Sequence, residues 1–374
     1  MDIQNIQPIK IFEGYADNLG DLNALQSYLA VMPKLSRNLY VRQFQIFHKT
    51  ELFEIIKKKV SGITRIRKIS NNSDFFCFEF KIGNTKNVDR GYFAIIPGSS
   101  KEFSRITSIS YSDYWNIVVR RIVKRLYPEA MPVFFRQDEI ENAFLNLERS
   151  LGMNFRIRIA DVTAKEERNQ NNVKQRTFDT QRRWTDLPIK DVFTQAKERG
   201  QWFTGLRFVI QQRYGNSDRF ISKASGRIHK YGEIYFDHFY SEISKNFLDI
   251  LEALASKRFS ILDGRGLREQ NYQAVKPIEI AFEYEIFNDI EEIRRFGRVV
   301  SNYPNATKSV YHSNPYYHAS IADFLDGSSF DLWVLSPQKI VILPQAKSSS
   351  QAFERIISHI SSNFYEGVVD EYRE

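Results

Sequence analysis

An order of strand, helix, several short strands and a long helix recurs three times along this 374-residue chain, although the residues themselves do not repeat. Leu39 to Phe47 alternates with period 2 and predicts a strand, and Thr50 to Val60 sets Leu52, Phe53, Ile55, Ile56 and Val60 on one helical stripe. Four short strand signals follow, at Ile63–Ser70, Asp74–Ile82, Gly91–Pro97 and Arg105–Ser110. The first round closes on a helix over Tyr114–Tyr127, with Ile117, Val118, Ile122, Val123 and Leu126 turned inward. The last round opens with a strand over Ile278–Phe287 and a helix over Asp289–Val300, for which Asn288 or Asp289 is the cap. Strand signals return at Ser309–Phe324, Phe330–Leu335 and Lys339–Pro344, ahead of a helix over Gln351–Phe364. The middle round is looser. It has a strand over Asn154–Val162, a polar insert, a helix over Ile189–Arg199, strands from Phe203 and Arg227, and a helix over Ser241–Ala255.

This order is similar to that of TATA-binding-protein-like and helix-grip folds, in which a curved sheet wraps a long helix. The similarity is one of topology and carries no function. The expectation is an α+β protein of tandem units, antiparallel sheets wrapped on long helices, as three such repeats. Their spans are 1–131, a basic middle unit 132–276 with an inserted loop at 161–184, and 277–374. The alternative is one irregular α+β fold.

Charge is distributed unevenly over these units. From Phe155 to Lys230 there are 17 Lys/Arg against 8 Asp/Glu, while the whole chain carries a net +8, so the rest is close to neutral. Positive charge gathered in one stretch implies an electropositive surface, and such surfaces most often meet nucleic acid through phosphate neutralisation. The insert Asp161–Trp184 adds Lys165, Arg168, Lys174, Arg176, Arg182 and Arg183, interleaved with Phe178 and Trp184. Guanidinium forks grip phosphates and aromatic rings stack on unpaired bases. Arg207, Arg213, Arg219, Lys223, Arg227 and Lys230 continue the same sign against Asp218 alone. On the helix Tyr114–Tyr127, Arg121, Lys124 and Arg125 share a face. In the loop Leu262–Tyr272, Gly264 and Gly266 permit close backbone approach while Arg265 and Arg268 are placed to hold an anion.

Other classes are disfavoured. A single cysteine, Cys77, excludes an internal disulfide and a Cys-rich zinc site. No apolar run reaches the roughly 18 residues of a membrane span, and Met1–Asn5 lacks the regions of a secretory signal. A cytoplasmic protein with no membrane contact is therefore expected. No Gly-x-Ser-x-Gly, His-Glu-x-x-His or phosphate-loop pattern is present. His312 and His318 have the even spacing of two ligands on one strand face, but Pro315 interrupts that strand.

The segment with the most enzyme-like pattern runs from Asp326-Gly-Ser-Ser-Phe-Asp331 to Gln345-Ala-Lys347. It locally resembles the core of PD-(D/E)xK nucleases, in the variant of Mrr-like restriction enzymes, over about 40 residues. The resemblance implies Asp331 as a Mg²⁺ ligand and Gln345 with Lys347 as the strand-end pair that positions attacking water. It also needs an upstream acid, for which Glu279, Glu283 and Glu285 are equal candidates. A plain two-residue turn between Ser336 and Lys339 would pair Asp331 with Pro344, on the face opposite Gln345. A bulge would bring the two side chains together.

The leading expectation is a nucleic-acid-binding protein that clamps a phosphate backbone, of a kind found in prokaryotic antiviral defence or mobile elements, needing no cofactor. Its contacts would be Arg121, Lys124, Arg125, Lys174, Arg176, Arg182, Arg183, Arg207, Arg213, Arg227, Lys230, Arg265 and Arg268, with Trp184 as a stacking platform. The alternatives are a Mg²⁺-dependent nuclease using Asp331, Gln345 and Lys347, or a scaffold subunit whose 30 Phe and 19 Tyr furnish a protein interface.

Overall fold

The structure is a computed structural model describing residues 39–60, 65–68, 75–80, 89–111, 115–168, 177–199, 201–215, 217–238, 242–263, 276–313, 316–345 and 347–372. It is an α+β fold with two antiparallel sheets, and its compact units are Met1–Ala253 and Leu254–Glu374.

The first unit is built on an 11-stranded sheet. Strand β1 (Leu39–His48) is followed by helix α1 (Leu52–Val60), then β2 (Arg65–Lys68), β3 (Phe75–Phe80), β4 (Asp89–Pro97) and β5 (Phe103–Tyr111). A π-helical turn, Trp115–Val119, leads into α2 (Arg120–Arg125), and β6 (Ala130–Pro132) returns to pair with β1. Helix α3 (Gln137–Leu151), β7 (Phe155–Arg168), β8 (Thr177–Pro188), α4 (Ile189–Glu198), β9 (Gln201–Arg213), β10 (Phe220–His229), β11 (Glu233–His238) and α5 (Glu242–Leu262) complete the run. The strand order β2-β3-β4-β5-β1-β11-β10-β9-β7-β8 joins the expected first and middle segments in one continuous sheet.

Two helix layers lie on opposite faces of different parts of this sheet. The stripe foreseen on α1 is buried, and it meets Ile46, Phe93, Ile95 and Ile106 of the sheet together with Trp115, Val119, Ile122 and Val123. Trp115 stacks on Phe44 at 5.2 Å. On the other face Phe144 of α3 and Phe247 of α5 stack at 4.5 Å, and both meet Phe208 of β9. Each aromatic side chain removed from water this way contributes about 1.5–3 kcal/mol. Glu252 of α5 accepts from the amides of Ser99 (2.5 Å) and Ser100 (3.2 Å) and from Gln45 Nε2 (3.1 Å), pinning the β4–β5 turn to the helix.

The segment expected as an inserted loop is different. Over 161–168 and 177–184 it forms the outer arms of the β7–β8 hairpin, in register from Asp161↔Trp184 to Arg168↔Thr177. Its polar composition hid the strands, because period-2 alternation marks a strand only where one face is apolar.

The second unit has β12 (Ile278–Ala281), α6 (Ile290–Ser301), β13 (Ala306–Ser313), β14 (Tyr317–Asp323), β15 (Ser329–Ser336), β16 (Lys339–Pro344), α7 (Ser350–Asn363) and β17 (Val368–Glu371). Its sheet order is β13-β14-β15-β16-β12-β17. This is the path traced by β1 to β6, in which the first strand also pairs with the last of four successive strands and with the strand after the second helix. The middle segment departs from it, since β7 pairs with β8 and β9. Of the two candidate caps, Asp289 is the one used: its side chain accepts from Glu291 N at 3.0 Å. The core holds Phe296, Tyr317, Leu332, Ile342, Ile356 and Phe364.

Candidate nucleic-acid interface

Alternation along β7, β9, β10 and β11 sorts residues onto two faces. Ile157, Ile159, Val162, Leu206, Phe208, Ile210, Ile228 and Ile234 are buried on the face that α3 and α5 cover. The alternate positions carry Arg156, Arg158, Arg207, Gln211, Arg213, Arg227, His229 and Tyr235. A register shift between Ile159 and Asp161 puts Asp161 on this arginine face as well.

Register then lines charges up across the strands. Asp161 pairs with Arg207, Arg207 with Arg227, Arg227 with Tyr235, and Tyr235 with Arg42 of β1. The backbone of Trp184 stands opposite Asp161 at the far end of this row, and those of Arg182 and Arg183 stand opposite Thr163 and Val162. Arg42 is buried against the rings of Tyr40 (4.8 Å) and Tyr235 (4.9 Å), which meet edge to face, with Glu233 at 3.7 Å. Glu233 also accepts from Trp115 Nε1 at 2.7 Å and Arg120 Nε at 3.1 Å, which ties α2 to the border of the face. Arg227 is held by Asp161 and by Thr163 Oγ1, the latter at 3.2 Å. Arg158 is held by Asp186 at 2.8 Å.

His229 reports the resulting field. Burial is the main cause that pushes its imidazole down to about 4; Glu233 opposes this, and Arg227, Arg120 and Arg42 add to it.

The expected contact residues fall into distinct places. Arg207 is half-buried and Arg213 exposed on the arginine face, while Arg227 is buried and ion-paired there. Lys230 is 2% exposed in the turn after β10, so its charge is not offered at the surface. Arg121, Lys124 and Arg125 are all exposed on α2. Lys174, Arg176, Arg265 and Arg268 lie outside the described residues. Arg42, Arg120, Arg156, Arg158 and His229 were not foreseen. Only Arg156 and Arg158 had a readable signal, the Phe-Arg-Ile-Arg-Ile alternation that puts both on one strand face.

In the second unit a register shift between Val334 and Ser336 pairs Asp331 with Leu343 instead of Pro344. Asp331 therefore shares a face with Gln345, whose Nε2 donates to Asp331 Oδ2 at 2.8 Å. Ser320 Oγ donates to the other carboxylate oxygen. Beside them His318 stacks on Trp333 (4.1 Å) and meets the tilted ring of Tyr311 (4.8 Å), and it pairs across the strands with His312. Lys347 is exposed beside Gly327 and makes no ion pair with Asp331. Glu279 is bound to Lys339 at 3.0 Å, and Glu283 and Glu285 are exposed. Ser320 and Gln345 thus donate to the two Asp331 oxygens, with His318 Nε2 3.7 Å from Oδ2, and among the described residues no group of three His, Cys, Asp or Glu side chains is placed to hold a metal. Of the three positions the local resemblance implied, Asp331 and Gln345 are brought together.

No protein-family model matches this chain, and no curated protein matches it. Among the described residues no helix is long and apolar enough to cross a membrane.

Proposed function

We propose that the arginine face of the first unit binds the phosphate backbone of a nucleic acid. The observation that carries this reading is the cross-strand row Arg207–Arg227–Tyr235–Arg42, with Arg156, Arg158 and Arg213 on the same face and Arg120 at its border. Asp161 is bonded to Arg227, Asp186 to Arg158, and Glu233 to Arg42 and Arg120. The carboxylates hold Arg42, Arg158 and Arg227 in fixed places, and the half-buried and exposed Arg207 and Arg213 meet the ligand. Exposed Arg121, Lys124 and Arg125 on α2 extend the positive border.

The test is binding to labelled single- and double-stranded DNA and RNA over a salt series, with Mg²⁺ in one arm and EDTA in the other. Each phosphate contact removed, as in Arg207→Ala or Arg213→Ala, flattens the slope of log K against log salt by about one unit. Absence of binding at about 50 mM salt, where backbone contacts are strongest, would overturn the reading. A second reading, a Mg²⁺-dependent nuclease, draws on the convergence of Asp331 and Gln345. Mg²⁺-dependent cleavage in the same experiment, lost in Asp331→Asn, would favour it.

A further inference from the structure

We infer that one end of the arginine face, at the β9–β10 hairpin, is a stacking site for unpaired bases, so that the ligand is single-stranded nucleic acid. The inference rests on the phosphate-binding reading above and names its substrate class. Arg156 reaches across β9, where its Nε donates to Gln211 Oε1 at 2.8 Å. Its guanidinium lies 3.7 Å from the centroid of the Phe220 ring on β10. Arg213, paired with Phe220 in register, holds its guanidinium 5.7 Å from the same centroid. Phe220 is half-buried, and in the adjoining turn of the hairpin Tyr214 is 62% exposed and Arg219 is exposed.

The charges here differ in kind from the rest of the face. Arg42, Arg120, Arg158 and Arg227 are each bonded to a carboxylate. Among the described residues, Arg156, Arg213, Arg219 and Lys223 form no ion pair, and Asp218 is the one acid of the hairpin. A guanidinium lying over a ring keeps its N–H edge for phosphate oxygens. Unpaired bases have open π-faces that can lie on Phe220, Tyr214 or the guanidinium planes, whereas the bases of a duplex are covered by their neighbours. The combination of uncompensated charge and accessible rings therefore selects a strand with free bases over a paired one.

The experiment compares an oligonucleotide of about 20 nucleotides, long enough to fill a single-strand site, as DNA and as RNA, with its own duplex. It uses the full chain and the variants Phe220→Ala and Phe220→Tyr, with a thermal melt of each to confirm folding. The full chain is expected to bind the single strands more tightly than the duplex. Phe220→Ala should weaken single-strand binding about tenfold, the scale of one lost stack, and leave duplex binding within about twofold. Phe220→Tyr, which keeps the ring, should bind like the parent. A 2-aminopurine base in the strand should be quenched by the parent and not by Phe220→Ala. Equal weakening toward both forms would make Phe220 a packing partner of Arg156 alone and overturn the inference, as would duplex preference or unchanged single-strand affinity. Failure of the parent to bind any form would instead remove the phosphate-binding reading, and this inference with it.

Discussion

Gln345 Nε2 donates to Asp331 Oδ2 at 2.8 Å because a single register shift near Leu335 turns both residues to one face of the second sheet. Asp331 is 8% exposed and also accepts from Ser320 Oγ. Asp331→Ala leaves two half-buried donors without their acceptor. The expected loss is about 1–3 kcal/mol, read from urea unfolding with an unchanged m-value. Asp331→Asn, which keeps the shape and one acceptor oxygen, should lose less than Asp331→Ala. An Asn variant as unstable as the Ala variant would show that the carboxylate itself, with both acceptor oxygens, carries the effect.

Glu233 gathers Trp115 and Arg120 from one helical segment and Arg42 from β1. Removing it takes the carboxylate away from the Arg42 guanidinium, which is buried beside Tyr40 and Tyr235. Glu233→Ala should destabilise by about 3–5 kcal/mol, the range for breaking one side of a buried pair. An effect below about 1 kcal/mol, the scale of a surface ion pair, would mean that solvent reaches this carboxylate.

His229 makes acid stability a test of the arginine face. Its folded pKa of about 4 lies below the usual 6.5, so the unfolded chain takes up a proton first. Stability from this group is complete above 6.5 and is lost as pH falls to about 4, a loss on the order of 3 kcal/mol. His229→Gln should flatten that part of the stability–pH curve. A phosphate bound at Arg207, the register partner of Arg227, lowers the local positive potential and should raise the His229 pKa in an NMR titration. An unmoved pKa at saturating oligonucleotide would place the ligand elsewhere.

In the second unit Arg355 donates to Asp323 at 2.9 Å and to Asp326 at 3.0 Å, while Tyr303 donates to Asp323 at 2.6 Å. Burial tends to raise the Asp326 carboxyl, but donors from Ser328, Ser349 and Arg355 outweigh it and hold the pKa low. The clasp therefore contributes stability above the ordinary carboxylate range and loses it as pH falls through that range. Arg355→Ala should destabilise by about 3–5 kcal/mol, since two carboxylates lose their cation. Calorimetry at neutral pH, with the parent alongside, measures it.

The helices and the apolar strands were legible because one-sided burial writes a period into the sequence. The stripe on α1 and the Asp289 cap are examples. The β7–β8 arms were not legible, since polar residues on both faces erase that period. Nor could sequence tell that Arg227 and Lys230 are buried while Arg213 is exposed. The partner of Arg227, Asp161, lies 66 positions away and becomes a neighbour only through two strand registers. The convergence of Asp331 and Gln345 turned on one bulge residue, which no periodicity announces.

The seam between β1 and β11 consists of four register pairs, Val41↔Phe236 to Phe44↔Glu233. Because β1 gives the rest of the same edge to β6, cutting the chain after Pro132 uncovers a bare strand edge on each piece, with Arg42 and Tyr235 parted. Such edges recruit one another. Fragments divided there should reassociate when co-expressed and precipitate when made alone, so any dissection of this protein has to keep residues 39–253 in one piece.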